Sequence, residues 1–482
     1  MFESDTTSYK RKTISNFSWR FAEQLSSRVV GLIVSIVIAR ILSPDEFGLV
    51  ALTLIFINIA DGFAVSGFGT ALVQKKDTDE LDVNTMLYGG LAISIIIYVI
   101  IFLSAPIIAS VYNNSLACPV LRIMGLRIPI ASFNSIQQAL VSRSLNFRNL
   151  FYSNLFATII SGIIGVIMAV RGYGVWALVG QYMSSVIIGT LVLNILIHYK
   201  PQLVFSYSRF CGMFAFAWKL MCTSAIGAFF NQLQGFVIGL KFTPADLAYY
   251  NRGGQFPSIV SQNISGALDS VLFSVMSKMQ SDRCRIKNAL RQTMMTSSFV
   301  IFPLMLFLFV TAEKVIVILL TEKWLFSVPF MRIACLQECF SILNTANLQA
   351  IKAIGRSDIS LKLEMIKKPF LIIFIIIGMQ FNALTVALSI AIYAIVALLI
   401  NTSPNKQLFN YGGLEQLKDV SISFIIAFLT AIATCLVDSF ISDIYLSLTV
   451  QTVFFIILYL LLNYTFKTEA FNLAIKTIKE IG

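Results

Sequence analysis

With 482 residues, 57% of them hydrophobic and only 12% charged, the chain is too apolar for a soluble globular class, and its apolar runs are too long for barrel strands. That composition implies an all-α polytopic membrane protein. The formal net charge of +12 sits in the loops, which explains it as membrane orientation and argues against nucleic acid as a partner. Seven scattered cysteines without a CxxC pair, and His198 as the only histidine, argue against metal sites and histidine acid–base chemistry, so no cofactor is expected.

The first predicted span, 16–42, follows Lys10, Arg11 and Lys12. It is too long and too polar for a signal-peptide core and has no small-residue cleavage site after it. On a helical wheel, Arg20, Glu23, Gln24, Ser27, Arg28, Gly31 and Ser35 fall on one side, opposite Phe21, Leu25, Val29, Ile33 and Val37. At ~1.5 Å per residue, Arg28 lies about 18 Å above Asn16, near mid-membrane, whereas Arg20 is only about 6 Å in and can snorkel. Two readings stand. Arg20 can pair with Glu23 while Arg28 pairs with an acid elsewhere, or the cations line a path for an anion. The second is preferred, because ionisable residues inside a membrane are functional by default.

Fourteen transmembrane helices are predicted: 16–42, 47–71, 84–111, 119–142, 149–171, 174–198, 214–241, 249–278, 287–312, 324–353, 358–380, 383–405, 419–438 and 444–466. One set of loops and tails holds twenty-two Lys and Arg residues and the alternate set four, so the positive-inside rule puts both termini in the cytoplasm. Trp19, Trp176, Trp218 and Trp324 all begin spans, as an interfacial aromatic belt would have them.

The chain repeats itself. FSWR … IARILSPDEFGL, around the first outer loop, returns as FAWK … IGLKFTPADLAY. Trp19 matches Trp218, Arg20 matches Lys219, Pro44 matches Pro244, and Glu46 matches Asp246 with a one-residue shift. Six spans separate the copies, which predicts two six-helix lobes related by a pseudo-two-fold along the membrane normal, plus two C-terminal helices. The expected organisation is an N-lobe at 1–198, a cytoplasmic amphipathic linker at 199–213, a C-lobe at 214–408, the last two spans at 409–466 and a cytoplasmic tail at 467–482. The second copy has Gly227 where the first has Arg28, but it keeps Asn231, Gln232 and Gln234. An anion site would therefore sit mostly in the first lobe.

Three other charged positions matter. Asp61 lies about 21 Å below the outer face, close to the depth of Arg28, and either pairs with it or serves as a proton- or sodium-sensitive carboxylate. Arg127, about 12 Å deep with Pro129 just after it, is a cavity candidate, whereas Arg122 reads as interfacial. Asp269 has no assignable role. The candidate cavity residues are thus Arg28, Arg127, Arg20, Lys219, Asp61, Gln24, Glu23, Gln234 and Asn231.

Several local segments carry a family resemblance: Ala39-Arg40-Ile41-Leu42-Ser43-Pro44-Asp45-Glu46-Phe47-Gly48, Ala71 to Lys76, Gly172 to Val179, Ala248 to Arg252, Glu322-Lys323-Trp324 and Ala353 to Asp358. Together they resemble the Wzx-like exporters of lipid-linked oligosaccharides in the multidrug/oligosaccharidyl-lipid/polysaccharide superfamily, of the colanic or teichuronic acid type. The resemblance covers nearly the whole chain. It implies a flippase that moves an undecaprenyl-diphosphate-linked repeat unit across the bacterial inner membrane by alternating access, with no bond made or broken, so no enzyme. Ser27-Arg28-Val29-Val30-Gly31 is similar to the arginine-bearing first-helix segment of the related lipid II flippases, which makes Arg28 the leading carried-over site. A polysaccharide polymerase is the candidate protein partner, membrane lipids surround the chain, a monomer is expected, and H+ or Na+ are the candidate coupling ions. The rivals are a cation-coupled multidrug antiporter of the same superfamily, which needs uncompensated acids that only Glu23, Asp61 and Asp269 could supply, and a non-transporting scaffold for polysaccharide assembly.

Overall fold

A computed structural model describes residues 3–277, 279–280 and 282–473; the side chains of 1–18, Arg20, Phe21, 267–271 and 273–275 are outside that description. Every regular element among the described residues is helical. In chain order these are α1 (Glu3–Ile41), α2 (Pro44–Ala64), α3 (Phe68–Gln74), α4 (Glu80–Val111), α5 (Ala117–Gly125), α6 (Arg127–Ser144), α7 (Phe147–Val170), α8 (Val175–Ile197) and α9 (Tyr207–Lys241). There follow α10 (Pro244–Ser277), α11 (Arg283–Leu320), α12 (Ser327–Ala353), α13 (Ser357–Gly378), α14 (Ala383–Thr402), the short α15 (Asn405–Phe409), α16 (Gly413–Asp438) and α17 (Ile444–Thr465).

Each of the fourteen predicted spans falls on one of these helices or on a broken pair. Ten are long and apolar enough to cross a membrane by length and composition: α1, α2 with α3, α4, α7, α8, α9, α11, α14, α16 and α17. The other four are broken or polar. The fourth span is split into α5 and α6, and α13 carries Lys362, Glu364, Lys367 and Lys368 between its start and its middle turn.

The breaks have local causes. A proline ring clashes with the carbonyl four residues earlier; for Pro129 that residue is Gly125, where α5 ends. The α2–α3 break falls where the backbone is pressed against α9. A Cβ on Gly62 would lie 2.9 Å from Ala225 Cα, and one on Gly67 2.7 Å from the Ala217 carbonyl oxygen. The turn between α7 and α8 needs positive φ at Gly172 (79°) and Gly174 (55°), which costs glycine nothing.

The chain forms two compact units, Met1–Ala248 and Tyr249–Gly482. In the first, α7 packs on α1 and α8, α6 on α4 and α8, and α9 lies along α2. The helix α9 begins at Tyr207, inside the stretch expected to be a linker, and its Phe214 stacks on Phe68 with centroids 6.3 Å apart. At its base Arg209 bonds Asp79, and its Nη1 reaches Asp82 at 3.2 Å. That hydrogen bond holds the Asp79 carboxyl down at about 2, well below the ordinary aspartate. In the second unit α11 packs on α12 and α16, and α14 on α12 and α13.

The repeat is visible at atomic level. Ser43 and Glu46 form a reciprocal capping box at the start of α2, with Glu46 Oε2 accepting from the Ser43 backbone N–H at 2.7 Å. Thr243 and Asp246 make the same pair at the start of α10, at 3.1 Å. One belt expectation is corrected. Trp324 is fully buried beneath Tyr249 and Arg252 and is a packing residue, not an interfacial one.

Candidate functional site

The first unit holds a partly open pocket of about 260 Å³ with a mixed polar and apolar wall. Four helices build it. Ser27 comes from α1, Arg127, Ala131, Asn134 and Gln138 from α6, Asn154, Ala157 and Thr158 from α7, and Ser185, Val186 and Gly189 from α8. Small residues let these helices close around it. A Cβ on Gly162 would come 2.4 Å from Val34 and one on Gly165 3.0 Å from Ile38, so α7 lies tight on α1. Ser153 Oγ donates to the Gly189 carbonyl at 2.7 Å, tying α7 to α8. Asn134 donates to Thr190 Oγ1 at 3.1 Å and Gln137 to Asn194 at 3.0 Å, tying α6 to α8.

Arg127 opens α6, at the Pro129 break, and Asp61 sits in the last turn of α2, just before that helix also breaks. The two meet at 3.4 Å, with 25% and 19% of their side chains exposed. This corrects the expectation of an Arg28–Asp61 pair: Asp61 pairs with Arg127. Sequence depth matched Asp61 to Arg28 and put Arg127 nearer the outer face, and the packing of α2 on α5 and α6 brings Arg127 to Asp61 instead. The pair leaves capacity unused. Asp61 Oδ1 and Arg127 Nε are buried without a hydrogen-bond partner, as is Ser27 Oγ.

The charged stripe of α1 divides between two surroundings. Glu23 is buried and accepts from Asn154 Nδ2 at 2.7 Å, one side chain from the cavity. Gln24 and Arg28 lie on an exposed flank of α1 and do not line the cavity. Lys219 and Asn231 are exposed on α9, and Gln234 is half-buried there. The side chains of Arg20 and Asp269 are outside the described residues. The structure therefore gathers Arg127, Asp61 and Glu23 around one cavity and leaves Arg28, Gln24, Lys219 and Asn231 on open surfaces.

Two features escaped the sequence reading. The amides Asn134, Gln138 and Asn154 stand in the cavity wall, and for the first two the signal was the polar run from Ser132 to Gln138 inside a span. Glu338, in the middle of α12, is held by the hydroxyls of Ser261 and Ser341. It is an intramembrane acid that the search for uncompensated carboxylates passed over.

Known proteins resemble this chain over most of its length. A succinoglycan biosynthesis transport protein of Rhizobium meliloti (strain 1021) is 25% identical over 73% of this chain and 72% of its own. The lipopolysaccharide biosynthesis protein WzxC of Escherichia coli (strain K12) is 22% identical over 82% of this chain and 80% of its own. Among solved structures, the lipid II flippase MurJ in an inward closed conformation superposes with a TM-score of 0.76 at 17% identity, covering 93% of this chain and 98% of that one. A multidrug resistance MATE family transporter of the MOP superfamily, inward-facing, gives 0.57 at 15% identity over 84% and 95%. Both likenesses establish the fold. Residues 37–329, more than half of the chain, match the polysaccharide biosynthesis protein family, and the chain belongs to that family.

Proposed function

We propose that this protein is a flippase that carries an undecaprenyl-diphosphate-linked oligosaccharide repeat unit across the bacterial inner membrane, for surface polysaccharide assembly. The observation that carries this reading is a roomy, partly polar open pocket between helices in a chain of this family. A head group rich in hydroxyls and phosphate cannot cross hydrocarbon bare, since even one charge at mid-bilayer costs at least ~2.5–3.5 kcal/mol. Hydrated polar surface inside the bundle offsets that cost, and the lipid tail stays in the bilayer. Both termini face the cytoplasm in this reading, where the cation-rich loops hold the membrane orientation.

Alternating access supplies the movement, with the segments 1–198 and 214–408 as the rocking lobes. The repeat-related loops at Pro44 and Pro244 touch. A Cβ on Gly48 would come 1.9 Å from the Pro244 carbonyl oxygen, a distance at which the two backbones are in van der Waals contact. In our reading this contact closes the outer side. A verified crosslink between residues 44–47 and 244–247 should then stop transport, and unimpaired flipping through it would exclude rocking at this gate.

The antiporter alternative draws on one observation, the hydroxyl-held acid Glu338. Asp61 supports it poorly, because Arg127 offsets its charge. The deciding experiment is a flipping assay in proteoliposomes with a fluorescent lipid-linked oligosaccharide, run beside an ethidium-type cation efflux assay. Oligosaccharide flipping without cation efflux is expected; the reverse would replace the flippase with an antiporter. Glu338→Gln tests ion coupling: a loss of the dependence of flipping on an imposed H+ or Na+ gradient would make this acid the coupling group.

A further inference from the structure

The flippase reading does not say which part of the cargo the cavity of the first unit receives. Its chemistry is unlike that of an anion site. Arg127 is the one cation among its lining residues, and Asp61 stands 3.4 Å from it, so much of its charge is already offset. Asp61 Oδ1 is buried with a free acceptor lone pair. A phosphate placed against Arg127 would meet that second negative charge in a poorly screened setting.

The rest of the wall offers donors and acceptors in mixed order. Of the amides, Asn134 donates to Thr190 and accepts from Gln138, and Asn154 donates to Glu23, so each keeps a second N–H and a carbonyl lone pair for a ligand, and the wall hydroxyls can give and take a hydrogen bond. Diphosphate oxygens only accept, so they would leave amide carbonyls and Asp61 unanswered. A sugar hydroxyl donates and accepts and brings no charge. Ser27 Oγ and Arg127 Nε, on lining residues, and Oδ1 of Asp61, the ion-pair partner of Arg127, are buried without a hydrogen-bond partner and have almost no surface of their own open to the pocket. Bare polar groups of this kind are costly inside a membrane unless a solvent or ligand answers them. The volume, about 260 Å³, far exceeds the ~10–15 Å³ that one water needs. Ala131, Ala157, Val186 and Gly189 supply apolar patches on which the C–H face of a ring can rest.

We propose that this cavity is a subsite for an uncharged sugar ring of the cargo and does not take the diphosphate. The proposal rests on the flippase reading only for the source of the sugar. Its test uses the full chain in nanodiscs and three probes: galactose, glucuronic acid and inorganic diphosphate. Saturation-transfer NMR should show galactose binding, with glucuronate weaker and diphosphate unable to displace galactose. Gln138→Leu and Asn134→Leu should each weaken galactose roughly tenfold, the usual consequence of a lost ligand hydrogen bond. Thr158→Val keeps the side-chain shape while removing a hydroxyl, and should weaken it less but measurably even if the leucine variants fold poorly. Displacement of galactose by diphosphate, no galactose signal in the native protein, or equal signals in all folded variants would each overturn the proposal. The proteoliposome assay separates the two levels. Flipping with no galactose site would leave the flippase and remove the subsite, whereas a galactose site in a protein that flips nothing would keep the subsite and remove the flippase.

Discussion

The two units differ in where their polar side chains gather. In Met1–Ala248, amides and hydroxyls line an open pocket while also bonding across helices, Asn134 to Thr190 and Asn154 to Glu23. In Tyr249–Gly482, among the described residues, polar side chains join away from any polar pocket, with Asn401 Oδ1 and Asn405 Oδ1 left buried without a partner. Asn347 Nδ2 donates to Gln416 Oε1 at 2.9 Å, Gln416 Nε2 returns to Asn347 Oδ1 at 2.9 Å, and Asn405 donates to the same oxygen. Lys314, near the end of α11, binds Asp438 of α16 and donates to Ser447 and Gln451 of α17 at 2.6 and 2.9 Å. Arg291 clamps Asp419 and Glu469 at 2.9 and 2.8 Å. A cavity of about 350 Å³ in this unit is lined by Phe299, Pro303, Phe307, Phe455 and Tyr459 among other mostly apolar side chains. Polar groups that close on one another fix helix positions, while polar groups left around a void are available to a ligand.

The strongest way to break this contrast is at Arg127. Arg127→Ala strands the Asp61 carboxylate, and removing one partner of a buried pair costs about 3–5 kcal/mol. With a fifth to a quarter of each side chain exposed, the lower part of that range is expected. Transport should disappear, and thermal unfolding in detergent should shift down. The double change Asp61→Asn with Arg127→Gln should recover most of the stability but not transport. Native transport by the double variant would reduce the pair to a structural brace.

Arg28 tests whether function also resides outside the cavity. Arg28→Ala should abolish export and leave membrane insertion intact, and Arg28→Lys should retain part of the activity. Native export by well-expressed Arg28→Ala would confine the site to the cavity. Asn347→Leu is the matching change in the second unit. It removes hydrogen bonds that serve only other amides, so about 1–3 kcal/mol of stability should be lost with transport per folded molecule unchanged. A selective loss of transport there would erase the contrast between the units.

The junction at Asp79 should be indifferent to pH across the ~5–8 range in which most proteins are most stable. Its carboxyl is depressed from 3.8 to about 2 by the Arg209 hydrogen bond. A depressed acid contributes fully above its unfolded value, and its contribution is lost only as pH falls through the folded one. Hydrogen exchange of residues 75–85 at pH 5 and pH 8, corrected for intrinsic rates, should agree. Faster corrected exchange at pH 5 would show that Arg209 does not hold this corner.

The fold was legible because long apolar runs leave little choice. The span 149–171 contains no charge before Arg171 and returns as α7. The breaks in α2 and between α5 and α6 were less legible, since one depends on the close approach of α9 and the other on what Pro129 does to a single carbonyl. Arg127 could be read from its depth and the proline after it. Its partner could not, because a sequence does not state which spans are neighbours. Asn134, Gln138 and Asn154 were missed because the search ranked residues by charge, and in a membrane an uncharged amide also needs an answer to its hydrogen bonds.

The smallest expected effect tests whether the repeat is still symmetric at the two loops. Glu46 Oε2 accepts from both the backbone N–H and the hydroxyl of Ser43, at 2.7 and 2.8 Å, and Asp246 Oδ2 does the same with Thr243 at 3.1 and 2.7 Å. Glu46→Gln and Asp246→Asn keep an acceptor oxygen and remove only the charge at a helix N-terminus, which is worth about 0.3–1 kcal/mol at an exposed site. Screening over a ~8 Å Debye length keeps any effect on an approaching anionic head group small as well. Each variant should therefore show a slight fall in unfolding temperature and only a modest loss of export. The two need not be equal. Glu46 also meets the Gly174 turn, where an added Cβ would lie 2.5 Å from Glu46 Oε1, so it braces α8 as well as α2. That added contact predicts a larger shift for Glu46→Gln. Equal shifts would mean that the Gly174 contact adds nothing. A larger shift for Asp246→Asn would put the stiffer of the two loops at α10, so that α2 would be the side that yields when the pair separates.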